Sequence, residues 1–462
     1  MTKPVSANPT LEISALIAEA IHQMAGRIEE HGPFPTLSQT EITSFLQEQY
    51  TFESPLALQN TIEITERLLD AGVVHPTHPR YLGLFEPNVS QAAIMGDVLT
   101  ALYNPQLSVQ SHAPAAHAIE QHTLGWLASN FGWKAGEFSA HFTSGGMEAN
   151  LTAVLTALSH HFPDWRDNGI RGCLKQPVFY VSASAHHSFD KAAAIAGLGH
   201  NSIRRIPVNA RFEMDVQALA SQIVSDRAQG HEPFLVVGTL GTTGTGAIDP
   251  IEYLSALCKK ETLWLHIDAA WGGAATFSPK IKPTILGLDK ADSITWDAHK
   301  WLPIPMGAGM FFCAHQNMLE KTFQVSTPYI ALSQDEFPNP FSTSVQWSRR
   351  FIGLKVFMFL ATFGKSGIQD LVTHQIEMGE YFKARLIETG WEIVNTTPLP
   401  LVCFTKPGLN IPLFLSEFSK LQIGWFSRLL LPDGRDSIRA CITNFNTHSH
   451  DIDNLVAALN KK

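Results

Sequence analysis

A lysine that closes an apolar segment can carry a carbonyl cofactor as a Schiff base, and an aspartate beside it can keep a ring nitrogen protonated. This chain holds such a pair. Lys300 lies in Asp297-Ala298-His299-Lys300-Trp301-Leu302, directly after the strand-like Ser293-Ile294-Thr295-Trp296. Asp268 stands 32 positions upstream, in His266-Ile267-Asp268-Ala269-Ala270-Trp271-Gly272-Gly273, after a second strand-like run. Ligands of parallel sheets collect at the carboxyl ends of strands, so both side chains are expected to face one site. The pair reads as the anchor lysine and ring-nitrogen carboxylate of a pyridoxal-phosphate enzyme.

Three further constellations support that chemistry. Thr143-Ser144-Gly145-Gly146-Met147-Glu148-Ala149-Asn150 is a small-residue turn opening a helix, where free N–H groups and the helix dipole favour a phosphate. On its own it would be an ordinary glycine loop; with Lys300 and Asp268 downstream it becomes a phosphate cradle. Ala185-His186-His187-Ser188-Phe189-Asp190-Lys191 follows a strand-like run, and an imidazole there can stack on an aromatic ring. Gly241-Thr242-Thr243-Gly244-Thr245-Gly246-Ala247-Ile248-Asp249-Pro250 sets hydroxyls at a strand end, and by itself it only corroborates. The other histidine-rich spots, His160-His161, His112 with His117 and His122, and His448 with His450, lack the cysteine or carboxylate company of a metal site, so no metal is expected.

The elements that must position these residues form an α/β pattern. From about residue 95, helical stretches near His117 to Phe131 and Glu148 to His161 alternate with short apolar runs. These runs are Val178 to Val181, Phe234 to Val237, Leu263 to Ile267, Ser293 to Trp296 and Met310 to Cys313, as in a largely parallel sheet between helices. The expected organisation is an N-terminal helical arm over 1–94, a large domain over 95–345, and a small α+β domain over 346–462. In the last, Phe351 to Phe363 is an apolar helix able to bridge domains, Ile438 to Thr443 is a strand, and Thr447 or Ser449 caps the final helix.

A composition of 45% hydrophobic and 16% charged residues over 462 positions is that of an ordinary globular chain. The formal charge of −9, with no basic run, argues against nucleic acid or an anionic membrane as partner. Five scattered cysteines, Cys173, Cys258, Cys313, Cys403 and Cys441, fit a reducing compartment. Glu12 and Glu19 interrupt the N-terminal apolar pattern, unlike a secretory leader, so a cytoplasmic location is expected.

Taken together, Gly241-Thr242-Thr243, His266-Ile267-Asp268-Ala269-Ala270-Trp271-Gly272-Gly273, Asp292-Ser293 and His299-Lys300-Trp301 resemble the group II pyridoxal-phosphate-dependent amino-acid decarboxylases. The similarity runs from about His78-Pro79-Arg80-Tyr81 to Arg439-Ala440-Cys441-Ile442-Thr443-Asn444. It implies fold type I, the aspartate-aminotransferase architecture, with a mostly parallel seven-stranded sheet, and a homodimer with active sites at the subunit interface. It also implies that Lys300 holds the internal aldimine, His186 stacks on the ring, Asp268 pairs with the ring nitrogen and Ala270 packs on the opposite face. Gly145, Gly146, Met147 and His299 would bind the phosphate, and Thr243 would touch the cofactor. Tyr329, in Val325-Ser326-Thr327-Pro328-Tyr329-Ile330, would protonate the quinonoid carbon once carbon dioxide has left. The implied reaction takes an L-amino acid to amine and carbon dioxide through an external aldimine.

Two positions depart from the family pattern. Asp297 stands where several members have asparagine, an extra anion near the phosphate unless it is turned away, and His187 replaces a tyrosine or serine. Leu84 weakens a glutamate substrate, Ser108 and Gln110 weaken an aromatic one, and Glu86 could favour a substrate amine or hydroxyl. Base frequency in the family tilts the expectation toward an aromatic amino acid. An aldehyde synthase or carbon-carbon lyase would share Lys300 and Asp268, whereas a cofactor-binding regulator would call for a DNA-binding module, of which the N-terminal region shows no sign.

Overall fold

The computed structural model describes residues 32–134, 136–325 and 338–461, together with Ala18. Seven strands make the central sheet: β1 (Ser139–Thr143), β2 (Pro177–Ser182), β3 (Ile203–Ile206), β4 (Glu232–Thr239), β5 (Trp264–Asp268), β6 (Ser293–Asp297) and β7 (Gly309–Cys313). Their order is β1-β7-β6-β5-β4-β2-β3, and β7 runs antiparallel to both β1 and β6 while the pairs from β6 to β3 are parallel. Every residue of β2, β5, β6 and β7 is buried, because helices cover both faces; this is why these runs are almost continuously apolar. Alternate side chains feed two cores, Val178 and Tyr180 one, Phe179 and Val181 the other. The helix Gly146–His161 lies on the second face through Ala149, Ala153 and Ala157, small enough to bring its backbone close to the sheet.

A second sheet, β10-β11-β9-β8, is wholly antiparallel and is built from β8 (Glu392–Ile393), β9 (Leu401–Thr405), β10 (Ser427–Leu430) and β11 (Asp436–Cys441). It has its own aromatic core, including Phe382, Trp391, Phe404, Phe414 and Phe426. The segment between the helices Leu58–Gly72 and Gln91–Tyr103 is stitched to it: the Leu82 N–H donates to the Trp425 carbonyl at 2.9 Å, and Cys441 N–H to the Leu82 carbonyl at 2.7 Å. The final helix, Ser449–Leu459, is capped by His448, whose N–H donates to Asp451 at 3.1 Å, in place of the expected Thr447 or Ser449. Among the described residues no helix is long and apolar enough to cross a membrane.

The apolar stretch from Phe351 forms the start of a long helix, Gly353–Glu388, interrupted at Gly364 by a φ of 60°. A buried ion pair fixes its beginning. Arg349 Nη2 lies 2.7 Å from Glu120 Oε2, while Glu120 Oε1 accepts the Gly353 N–H at 3.1 Å. Position 353 admits only glycine, since a Cβ would come within 2.5 Å of Glu120 Cγ and 2.8 Å of Phe142 Cε2. Glu120→Ala strands the buried guanidinium and is expected to cost about 3–5 kcal/mol, read as a lower midpoint in denaturant unfolding.

Candidate active site

The carboxyl ends of the central strands converge on one cavity lined by Gly146, Met147, Asn150, His186, Thr239, Gly241, Thr243, Asp268, Ala270, Trp271 and Lys300. Register explains part of the convergence: Thr239, Asp268 and Thr295 are direct partners across β4, β5 and β6. Of the residues singled out from sequence, Gly146, Met147, His186, Thr243, Asp268, Ala270 and Lys300 share this cavity. Gly145 and His299 border it, with a Cβ on Gly145 falling 3.8 Å from the His299 ring. Tyr329 lies outside the described residues.

Asp268 is held at both oxygens. Oδ1 accepts the Ala270 N–H at 3.0 Å and Oδ2 accepts an Asn150 amide N–H at 3.0 Å. The other Asn150 N–H donates to Ser188 Oγ at 2.9 Å, and Ser188 N–H donates to His186 Nδ1 at 3.1 Å. One amide thus ties the carboxylate to the histidine loop. Although His186 is open to the cavity, desolvation by its surroundings lowers its pKa, against the opposing pull of Asp268.

Asp297 is turned into the cradle. Its Oδ2 accepts the Gly146 N–H at 2.9 Å and lies 3.1 Å from Lys300 Nζ and 3.9 Å from His299 Nε2. The lysine therefore offsets the extra anion. Burial lowers the His299 pKa, and its Nδ1 accepts the Ala308 N–H at 3.1 Å, which leaves Nε2 toward Asp297. Gly309 makes this crowding feasible: between Thr143 and Asp297 in the sheet, a Cβ there would meet Thr143 Oγ1 at 2.5 Å, Gly145 Cα at 2.6 Å and Asp297 Oδ1 at 2.8 Å.

The donor set fits pyridoxal phosphate: an amine, a fixed carboxylate, an imidazole and the N-terminus of a sixteen-residue helix surround one space. Thr239 Oγ1, buried on the wall, finds no partner among the described residues and has hydrogen-bonding capacity to spare.

Asn150, Gly241 and Trp271, quoted above within motifs but given no role, also line the cavity, as does Thr239, which was not named; Arg439 stands behind Thr243. Asn150 carried a signal, a polar side chain four positions after Gly146 and so on the same helix face. Arg439 gave less. Its Nε donates to the Thr243 carbonyl at 2.8 Å, Nη1 to the Gly83 carbonyl at 2.6 Å, and the buried Nη2 has no partner among the described residues.

Comparison with known proteins agrees with this geometry. Residues 42–406 match the pyridoxal-dependent decarboxylase conserved domain. An aromatic-L-amino-acid decarboxylase of Bacillus atrophaeus is 32% identical over 336 residues, covering 72% of this chain and 68% of the relative. An acidic amino acid decarboxylase of Mus musculus is 29% identical over 361 residues, covering 76% of this chain and 65% of the relative. The chain thus aligns with about two thirds of the length of these relatives. A crystal structure of Rhodiola rosea 4-hydroxyphenylacetaldehyde synthase shares the fold at a TM-score of 0.90 and 23% identity, covering 99% of this chain and 98% of that one. This chain belongs to the pyridoxal-dependent decarboxylase family. It is an α/β, fold type I amino-acid decarboxylase whose cofactor is pyridoxal 5'-phosphate.

Proposed function

We propose that the chain removes the α-carboxylate of an aromatic L-amino acid, yielding the amine and carbon dioxide, as a cytoplasmic homodimer. The observation that carries this reading is the meeting of Lys300, Asp268 and His186 at the N-terminus of the helix Gly146–His161. Pyridoxal phosphate, when bound, supplies a sink for the electrons left on the α-carbon. Lys300 would anchor it covalently, and Asp268 would hold the ring nitrogen's proton. His186 and Ala270 would press on opposite faces of the ring, with Thr243 at its edge. The N–H groups of Gly145, Gly146 and Met147, with His299, would take the phosphate.

The aromatic substrate is supported by the 32% identical aromatic-L-amino-acid decarboxylase of Bacillus atrophaeus. The 29% identical acidic amino acid decarboxylase of Mus musculus favours a second reading, an acidic amino acid. Carbon dioxide release across the standard L-amino acids, diaminobutyrate and cysteine sulfinate separates the two: the first reading predicts the highest kcat/KM for an aromatic substrate, the second for an acidic one. The exposed Leu102, Tyr103 and Met306 leave apolar surface for a second copy, and five unpaired cysteines support a reducing compartment.

An aldehyde synthase shares this fold, so the product also needs a test. Tyr329 is proposed as the donor that protonates the α-carbon after carbon dioxide departs. Tyr329→Phe is expected to slow amine formation roughly a hundred- to ten-thousand-fold. The unprotonated α-carbon then reacts with dioxygen, giving aldehyde, ammonia and peroxide. Unchanged amine formation in air, without peroxide, assigns the proton to another group.

A further inference from the structure

Behind Asp268 runs a chain of buried hydrogen bonds whose direction is set at both ends. The indole N–H of Trp264 can only donate, and it donates to Ser293 Oγ at 2.8 Å. Ser293 Oγ lies 2.9 Å from His266 Nδ1, and His266 Nε2 lies 3.2 Å from Asn150 Oδ1. Asn150 then donates to the Asp268 carboxylate, which can only accept. Both Asn150 amide hydrogens are committed, to Asp268 and Ser188, so its oxygen must accept from His266 Nε2–H. His266 Nδ1 is therefore the bare nitrogen and takes the Ser293 hydroxyl hydrogen. Thr295 Oγ1, at 3.3 Å from His266 Nε2, offers a side branch without reversing this order.

Trp264, Ser293, His266 and Asn150 are each exposed by 2% or less, with Asn150 at the cavity end of the chain. Burial also holds the His266 imidazole down at about 4, so it is neutral at physiological pH. Four groups of such different chemistry, aligned and fully buried, have one common product: a donor fixed on Asp268 Oδ2.

We infer that Trp264, Ser293, His266 and Asn150 form a one-way hydrogen-bond relay that fixes a donor on Asp268 Oδ2 and so keeps the shared proton on the cofactor's ring nitrogen. The inference rests on the Asp268 role proposed above. A proton shared between a ring nitrogen and a carboxylate stays on the nitrogen while the carboxylate's charge is stabilised by other donors. Removing the Asn150 donor leaves the Asp268 Oδ2 without its hydrogen bond, and the shared proton moves toward the carboxylate. Electron withdrawal into the ring then weakens, although the cofactor remains bound through Lys300. Asn150 and His266 are positioning residues in this account, because they act on the ring through Asp268.

The test is the NMR resonance of the ring nitrogen in holoenzyme reconstituted with cofactor isotopically labelled at that atom. The parent is expected in the protonated pyridinium range. Asn150→Ala is expected to shift the resonance toward the neutral pyridine range and to lower kcat at least tenfold, with cofactor still bound. Ser293→Ala removes one oxygen at the far end of the relay and disturbs packing least; it should shift the resonance in the same direction by a smaller amount. A parent resonance in the pyridinium range that neither variant moves overturns the relay while sparing Asp268, even if melting temperatures fall. A parent resonance already in the neutral range overturns the Asp268 assignment and the relay together.

Discussion

Lys300→Ala is expected to lose all turnover above background, together with the visible absorbance of bound cofactor. The side chain sits three residues past the end of β6, where the sheet delivers its amine to the cavity and Asp297 holds it 3.1 Å away. Among the described residues no other lysine lines that space. An alanine removes the nucleophile that makes the covalent link, and the cofactor keeps only its noncovalent contacts. Folding should survive, since the lysine is partly exposed at the cavity and its salt-bridge partner, Asp297, keeps the Gly146 N–H. Absorbance spectra and a carbon dioxide assay check the result; a variant that retains both would move the anchor elsewhere.

Asp268→Asn is expected to leave the protein folded and to lower kcat roughly a thousand-fold, equivalent to about 4 kcal/mol of barrier. The substitution keeps the shape and removes the charge. One of its two atoms can still accept from Ala270 or Asn150, but the other becomes an amide nitrogen facing a donor. The ring nitrogen loses the anion that holds its proton. Single-turnover rates together with cofactor titration separate this effect from poor loading, and near-parental kcat would place the essential carboxylate elsewhere.

The central strands were legible where burial on both faces imposed a continuous apolar run, as in Val178 to Val181 and Ser293 to Trp296. Two strands were not. β3 reads Ile203-Arg204-Arg205-Ile206, an edge strand whose arginines turn to Asp226 and Asp190 and hide its character. β1, the opposite edge, reads Ser139-Ala140-His141-Phe142-Thr143, in which serine, histidine and threonine break up the apolar run. The cavity itself was legible because Lys300, Asp268 and the Gly145-Gly146 turn each sit at a strand end, where sequence position implies spatial position. Arg439 was not, because it reaches the Thr243 carbonyl from the second sheet while also holding the Gly83 carbonyl, and no spacing rule predicts that meeting. The orientation of Asp297 likewise depends on Gly309 and Gly146, two glycines distant in sequence that leave room for a carboxylate.

Borohydride reduction of the parent holoenzyme, followed by peptide mass mapping, tests the central claim most directly. The account predicts a single stable adduct of pyridoxal phosphate on the peptide containing Lys300. An adduct on a different lysine, or none in protein that still releases carbon dioxide from an amino acid, would contradict it.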